Sequence, residues 1–159
     1  MGEADRNYAA LRPGGLPKAL GLTETMLQLA SPNFAVVLDL EVPWAHAYAD
    51  MRPGKTDRER RENYRAAAKG RLVLPPEPPL WWAFKITVGK CGRPLDVDNI
   101  AKTIIDSFSG SQLRRDASPH GELELYPDDS FFHVRALQVM GRPAPTDSTR
   151  IEVFACIRE

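Results

Sequence analysis

Leu95-Asp96-Val97-Asp98-Asn99 runs straight into an amphipathic stretch, and a second acidic pair, Asp128-Asp129, follows further along the chain. Separated carboxylates of this kind are the usual raw material of a divalent-metal site. Hard oxygen ligands suit Mg²⁺, which keeps some of its waters for a phosphate substrate. Asp98 and Lys102 stand four residues apart and on a helix would share a face. A lysine in that position can meet a phosphate beside the carboxylates and offset charge that builds up during reaction. The competing structural reading makes the first acids a helix start, because Asp is a good N-cap and a negative first turn suits the helix dipole.

For the two groups to act together, the fold must return residues 128–129 to the helix that begins near residue 98. That helix is expected from Val97 or Asp98 to Phe108. Ile100, Ala101, Ile104, Ile105 and Phe108 cover one arc, and Asp98, Asn99, Lys102, Thr103 and Asp106 cover the other. Ser109-Gly110-Ser111 ends it, and a polar stretch continues to Tyr126-Pro127 as a flexible loop or a small insertion with a strand at 122–125. Upstream, residues 33–42 alternate Val36, Leu38, Leu40 and Val42 against Ala35, Val37, Asp39 and Glu41, the period of a half-buried strand. Thr56-Asp57-Arg58-Glu59 is a capping box opening a charged helix to Lys69, whose poor apolar content predicts a surface position. Residues 80–88 form a second strand with Trp82, Phe84, Ile86 and Val88 on one side and Trp81 on the other. Residues 131–140, with His133 among them, and 150–157 complete the strands. The order strand, helix, strand, helix, strand, strand predicts an α+β fold: one mixed sheet with helices packed on it, closing in an antiparallel hairpin.

At 159 residues, 43% hydrophobic and 26% charged, the sequence suits one soluble domain with a real core. Residues 1–32 read as a loosely structured extension with one short helix at 23–29, and residues 33–159 as the domain. No apolar run is long enough to span a membrane, and Met1-Gly2-Glu3-Ala4-Asp5 lacks the basic and apolar segments of a signal peptide, so a cytoplasmic location is expected. Cys91 and Cys156 are expected as unpaired thiols, and His46, His120 and His133 lack zinc-ligand spacing. The formal net charge is zero, yet cations crowd the segment from Arg52 to Arg71. Arg58, Arg61 and Arg65 fall on one helical stripe there, either a solvated face or a surface that tracks phosphates.

An EF-hand reading fails, because Ile100, Ala101 and Ser107 stand where a calcium loop needs an acid or Asn, Gly and Glu. Instead, the stretch from Arg93 to Phe108, with its Asp96-x-Asp98-Asn99-x-x-Lys102 core, resembles the RusA-type Holliday junction resolvases. Tyr126-Pro127-Asp128-Asp129-Ser130 is similar to the second motif of that family, an Asp pair before a strand. The resemblance runs from about residue 33 to the carboxyl terminus, with departures at Ala45-His46-Ala47 and in the longer segment 109–127. It implies a homodimeric, Mg²⁺-dependent endonuclease, with Mn²⁺ as a substitute, that cuts four-way DNA junctions in recombination and repair. By the same resemblance, Asp96, Asp98 and Asp129 are catalytic metal ligands, Asp128 is a ligand or supports one, and Lys102 is the catalytic lysine. Arg58, Arg61, Arg65, Arg93 and Asn99 are the expected DNA contacts. The alternative function is a noncatalytic module that binds branched DNA on the same fold.

Overall fold

A computed structural model describes Leu29 and residues 31–46, 57–93 and 96–159, with Val97 by its backbone alone. The expected helix at 23–29 and Thr56 of the capping box fall outside the described residues, apart from Leu29. The elements are β1 (Phe34–Val42), α1 (Asp57–Ala68), β2 (Trp81–Lys90), α2 (Val97–Ser107), α3 (Gly110–Arg115), a 3₁₀ turn (Gly121–Leu123), β3 (Val134–Pro143) and β4 (Ser148–Cys156). They build one mixed four-stranded sheet with helices packed on it, an α+β fold as expected.

The strand order is β1-β4-β2-β3, which overturns the expected terminal hairpin. β3 pairs with β2 in parallel, the geometry that a helical crossover through α2 produces. β4 then passes the end of β2 and enters between β2 and β1, antiparallel to both. Asp147 secures that passage, accepting from Lys90 Nζ at 2.9 Å and from the Cys91 amide at 2.8 Å. The Ala144 amide adds a bond to the Lys90 carbonyl at 2.9 Å.

One sheet face carries the main core. Leu38, Leu40 and Val42 of β1, Trp82, Phe84, Ile86 and Val88 of β2, and Ile151, Val153 and Ala155 of β4 pack there with Ile100, Ala101, Ile104 and Phe108 of α2. The alternation read from β2 therefore holds. In β1 a register shift between Val36 and Leu38 breaks the simple period: Val37 is buried and Val36 exposed. The extra residue lets Phe34 and Val36 share a face with Asp39 while the next apolar residue turns inward, as a β-bulge permits. The other face buries a smaller cluster of Phe34, Trp81, Ala83, Phe154 and Cys156, with Leu29 and Ala136 against it. Beyond that cluster it carries an ion pair, with Arg150 bonded to Asp39 at 2.9 Å and 3.1 Å. Cys91 and Cys156 are free thiols, one exposed and one buried.

The largest departure from expectation is α1, which is a core helix. Arg60, Arg61, Tyr64, Arg65 and Ala68 are all buried, and the helix packs on α2 and β1. Arg61 reaches Asp116 through both its Nε and Nη2 at 2.7 Å, and Arg65 Nη1 reaches the same carboxylate at 2.9 Å. Arg65 Nε also donates to the carbonyl of Ser107, the last residue of α2, at 2.7 Å. Two guanidinium groups thus tie α1 to the end of α2 and to the end of α3, satisfying a carbonyl the helix leaves open. Gln112 adds a bond to Asp116 at 3.1 Å. The surrounding guanidinium groups hold the Asp116 carboxyl down to about 2.

Two smaller expectations also change. The segment at 122–125 is not a strand, since residues 121–123 form a 3₁₀ turn and Tyr126 makes only an isolated bridge to Ser109. His133 lies in the turn before β3, because Ser130 carbonyl bonds hold residues 130–134 in a turn until the strand starts at Val134. No helix among the described residues is long and apolar enough to cross a membrane.

Candidate active site

The site begins where β2 gives way to α2. Asp96 occupies the N-cap position with extended backbone, but its side chain makes no capping hydrogen bond. Asp98, one residue into the helix, accepts from the Asn99 amide at 3.0 Å. Both carboxylates are exposed, Asn99 is half-buried, and Arg93 is exposed ahead of them. The helix-start reading therefore accounts for the position of Asp96 but gives its carboxylate no bond to a helix amide. Thr103, placed on the polar arc by periodicity, is buried; its hydroxyl bonds the Asn99 carbonyl one turn back at 3.3 Å.

Lys102 turns toward the carboxyl end of α2. Its ammonium stands 3.3 Å from Asp106 Oδ2 and 3.8 Å from Asp129 Oδ2. The second contact spans the long insertion and joins the two acidic motifs that the sequence separates. Lys102 and Asp129 remain open, with side chains 59% and 48% exposed, whereas Asp106 is 14% exposed. Burial raises the Asp106 carboxyl above the usual carboxylate range, the nearby lysine opposes that rise, and the Asp129 charge adds to it.

The loop that delivers Asp129 is held from two sides. The Tyr126 hydroxyl donates to the Ile105 carbonyl of α2 at 2.6 Å, and the Gly110 and Ser111 amides bond to the carbonyls of Tyr126 and Pro127 at 2.8 Å and 2.9 Å. Asp128 accepts from the Ser130 amide at 2.9 Å, a local turn of the kind Asp favours, and hydrogen bonds from Ser130 lower its carboxyl. Asp128 shapes the loop, and its neighbour Asp129 faces the lysine.

Among the described residues, no three His, Cys, Asp or Glu side chains stand close enough together to hold a metal ion. The ammonium of Lys102 lies between Asp106 and Asp129, and Asp96 and Asp98 do not join them in one group. The expected ligands Asp96, Asp98 and Asp129 are thus not gathered into one metal-holding group among the described residues.

The expected DNA contacts divide sharply. Arg58 and Arg93 are exposed. Arg61 and Arg65, at 8% and 0% exposure, are committed to Asp116 and cannot form a phosphate-facing stripe. The basic-stripe expectation is corrected for these two residues: the carboxylate that captures them is 55 and 51 positions away. Asp106 is the residue whose role the spacing understated. It lay on the polar arc, four residues past Lys102, and that i,i+4 relation was the available signal.

Searches of known family models, of curated proteins and of solved structures each found no match.

Proposed function

We propose that the chain is a structure-specific DNA endonuclease of the RusA type, cutting four-way junctions in pairs in the cytoplasm during recombination and repair. In this reading it works as a homodimer with Mg²⁺ or Mn²⁺ as cofactor, because paired cuts in opposing strands call for two equivalent sites. The observation that carries the reading is the approach of Lys102 to Asp129 at 3.8 Å. It makes one locality of two motifs whose sequences separately resemble those of the family. Exposed carboxylates beside an exposed lysine suit a phosphodiester: the ammonium offsets charge developing on the phosphate, and the carboxylates accept protons or orient water. Arg58, Arg93 and Asn99 are the remaining candidates for backbone contacts.

The test is incubation of a labelled four-way junction and a matched linear duplex with Mg²⁺, Mn²⁺ or a chelator. Cleavage of the junction alone, lost on chelation, is the expected result. Asp96→Asn, Asp98→Asn and Asp129→Asn should each abolish cutting while folding and junction binding persist, since charge is removed at nearly constant size. Wild-type rates in these variants would remove the assignment of the carboxylates.

A second reading is favoured by the lack of a metal-holding group among the described side chains. In it the same fold binds branched DNA without cutting. Tight junction binding with no cleavage under either metal selects that reading.

A further inference from the structure

Asp106 is poorly placed for stability. It stands in the last turns of α2, a helix with no basic residue in its final turn, where the helix dipole disfavours negative charge. Its side chain is largely buried, and the charge of Asp129 opposes its ionisation. The pairing with Lys102 runs lysine before acid, the weaker orientation for an i,i+4 pair. Local rules broken together at one position mark a residue kept for something other than the fold.

Lys102 supplies the other half of the argument. A lysine ammonium rides on a flexible four-carbon stem and loses considerable rotamer freedom when fixed. Here it is held at two points, nearer to the half-buried Asp106 at 3.3 Å than to the open Asp129 at 3.8 Å. Asp106 belongs to the same helix as Lys102 and is anchored in the core layer, next to Ile105, whose carbonyl takes the Tyr126 hydroxyl. Asp129 is the exposed partner and the one a ligand can engage. When it is engaged, Asp106 still holds the ammonium.

We propose that Asp106 is a positioning residue that fixes the Lys102 ammonium beside Asp129, so that the lysine meets the phosphate already oriented. The proposal rests on the endonuclease reading above and adds to it a residue that touches Lys102 rather than the substrate. A purely structural Asp106 would lower stability when neutralised. A positioning Asp106 would lower turnover and leave stability unchanged or improved, because an unfavourable charge has been removed.

The experiment compares wild type, Asp106→Asn and Asp106→Glu as full chains. It measures junction cleavage under single-turnover conditions, junction affinity, thermal unfolding, and the rate of reductive methylation at Lys102. Asp106→Asn should slow cleavage by roughly tenfold or more with affinity within about twofold, as expected when only orientation at the reacting centre is lost. Its melting temperature should equal or exceed that of wild type, and Lys102 should be methylated faster. Asp106→Glu, which keeps the charge, should recover part of the rate. Cleavage by Asp106→Asn within about threefold of an active wild type overturns the positioning role while leaving the endonuclease reading intact. A fall in melting temperature with unchanged Lys102 methylation also overturns it, in favour of a structural role. An inert wild type overturns the endonuclease reading itself, and the positioning role with it.

Discussion

Two groups of ion pairs in this protein have similar ingredients and opposite surroundings. In one, Arg61 and Arg65 converge on Asp116 with all three side chains at or below 10% exposure. In the other, Lys102 stands between Asp106 and Asp129 with the lysine more than half exposed. In the first group the carboxylate receives two guanidinium groups and an amide, and one guanidinium also closes the end of α2. The second leaves Asp129 half exposed, and Asp96 and Asp98 at the start of α2 are exposed as well. Charges paired in the interior hold helices together, whereas those paired at the surface remain free to meet a ligand.

If that contrast is right, breaking the first group should cost stability and breaking the second should cost activity. Asp116→Ala would leave the Arg61 guanidinium in the interior without the carboxylate it grips, and Arg65 with Glu62 in its place, and should destabilise the fold by about 3–5 kcal/mol, the cost of leaving buried charge uncompensated. Urea unfolding would measure it; a loss below about 1 kcal/mol would mean that water reaches the clamp. Lys102→Met should leave the urea midpoint close to wild type. It should slow junction cleavage on the order of a hundredfold, equivalent to about 2.7 kcal/mol of transition-state stabilisation. A rate within a few-fold of wild type would reduce Lys102 to a surface ion pair.

Acid titration separates the groups by sign. The folded Asp116 carboxyl is held down to about 2. Its contribution is therefore complete above the unfolded carboxylate range, and it declines as pH falls from about 4 through about 2. Asp106 is raised by burial, so its ionisation opposes folding at neutral pH, and that cost disappears below the same unfolded range. Asp116→Ala should flatten the acid limb of the stability curve, whereas Asp106→Asn should steepen it. The smallest effect is expected on the open sheet face. Arg150→Gln breaks the bonds to Asp39 but should leave the unfolding midpoint unchanged within error, because both groups are solvated.

The same contrast explains which features were legible in the sequence. β2 announces itself because Trp82, Phe84, Ile86 and Val88 all face the core, and α2 because its apolar arc meets the sheet. These are local periodicities, and burial follows them directly. α1 misleads because periodicity counts arginine as solvent-facing, and nothing near Arg61 or Arg65 in sequence reveals Asp116 as their partner. The terminal hairpin misleads for a related reason. A short connection suggests neighbouring strands, but Asp147 and Ala144 are bonded to the end of β2 as the chain crosses it. At the candidate site the motifs mark the acids, while the direction in which Lys102 turns, and hence the importance of Asp106, depends on where the loop at 126–130 docks.

The position of β4 has a consequence for how the molecule comes to be folded. β2, α2 and β3 are consecutive and can associate without β4, since β3 pairs directly with β2. β1 has no such neighbour: its pairing in the sheet is with β4 alone, through partners that extend to Cys156. Among the described strands, the first in sequence must therefore wait for the last. Until then its backbone and the inner edge of β2 lack their partner, the condition in which chains aggregate or recruit a chaperone. Sheet closure is a late, long-range step that sets a slow folding rate, and shortening the chain within β4 removes the strand that joins both halves.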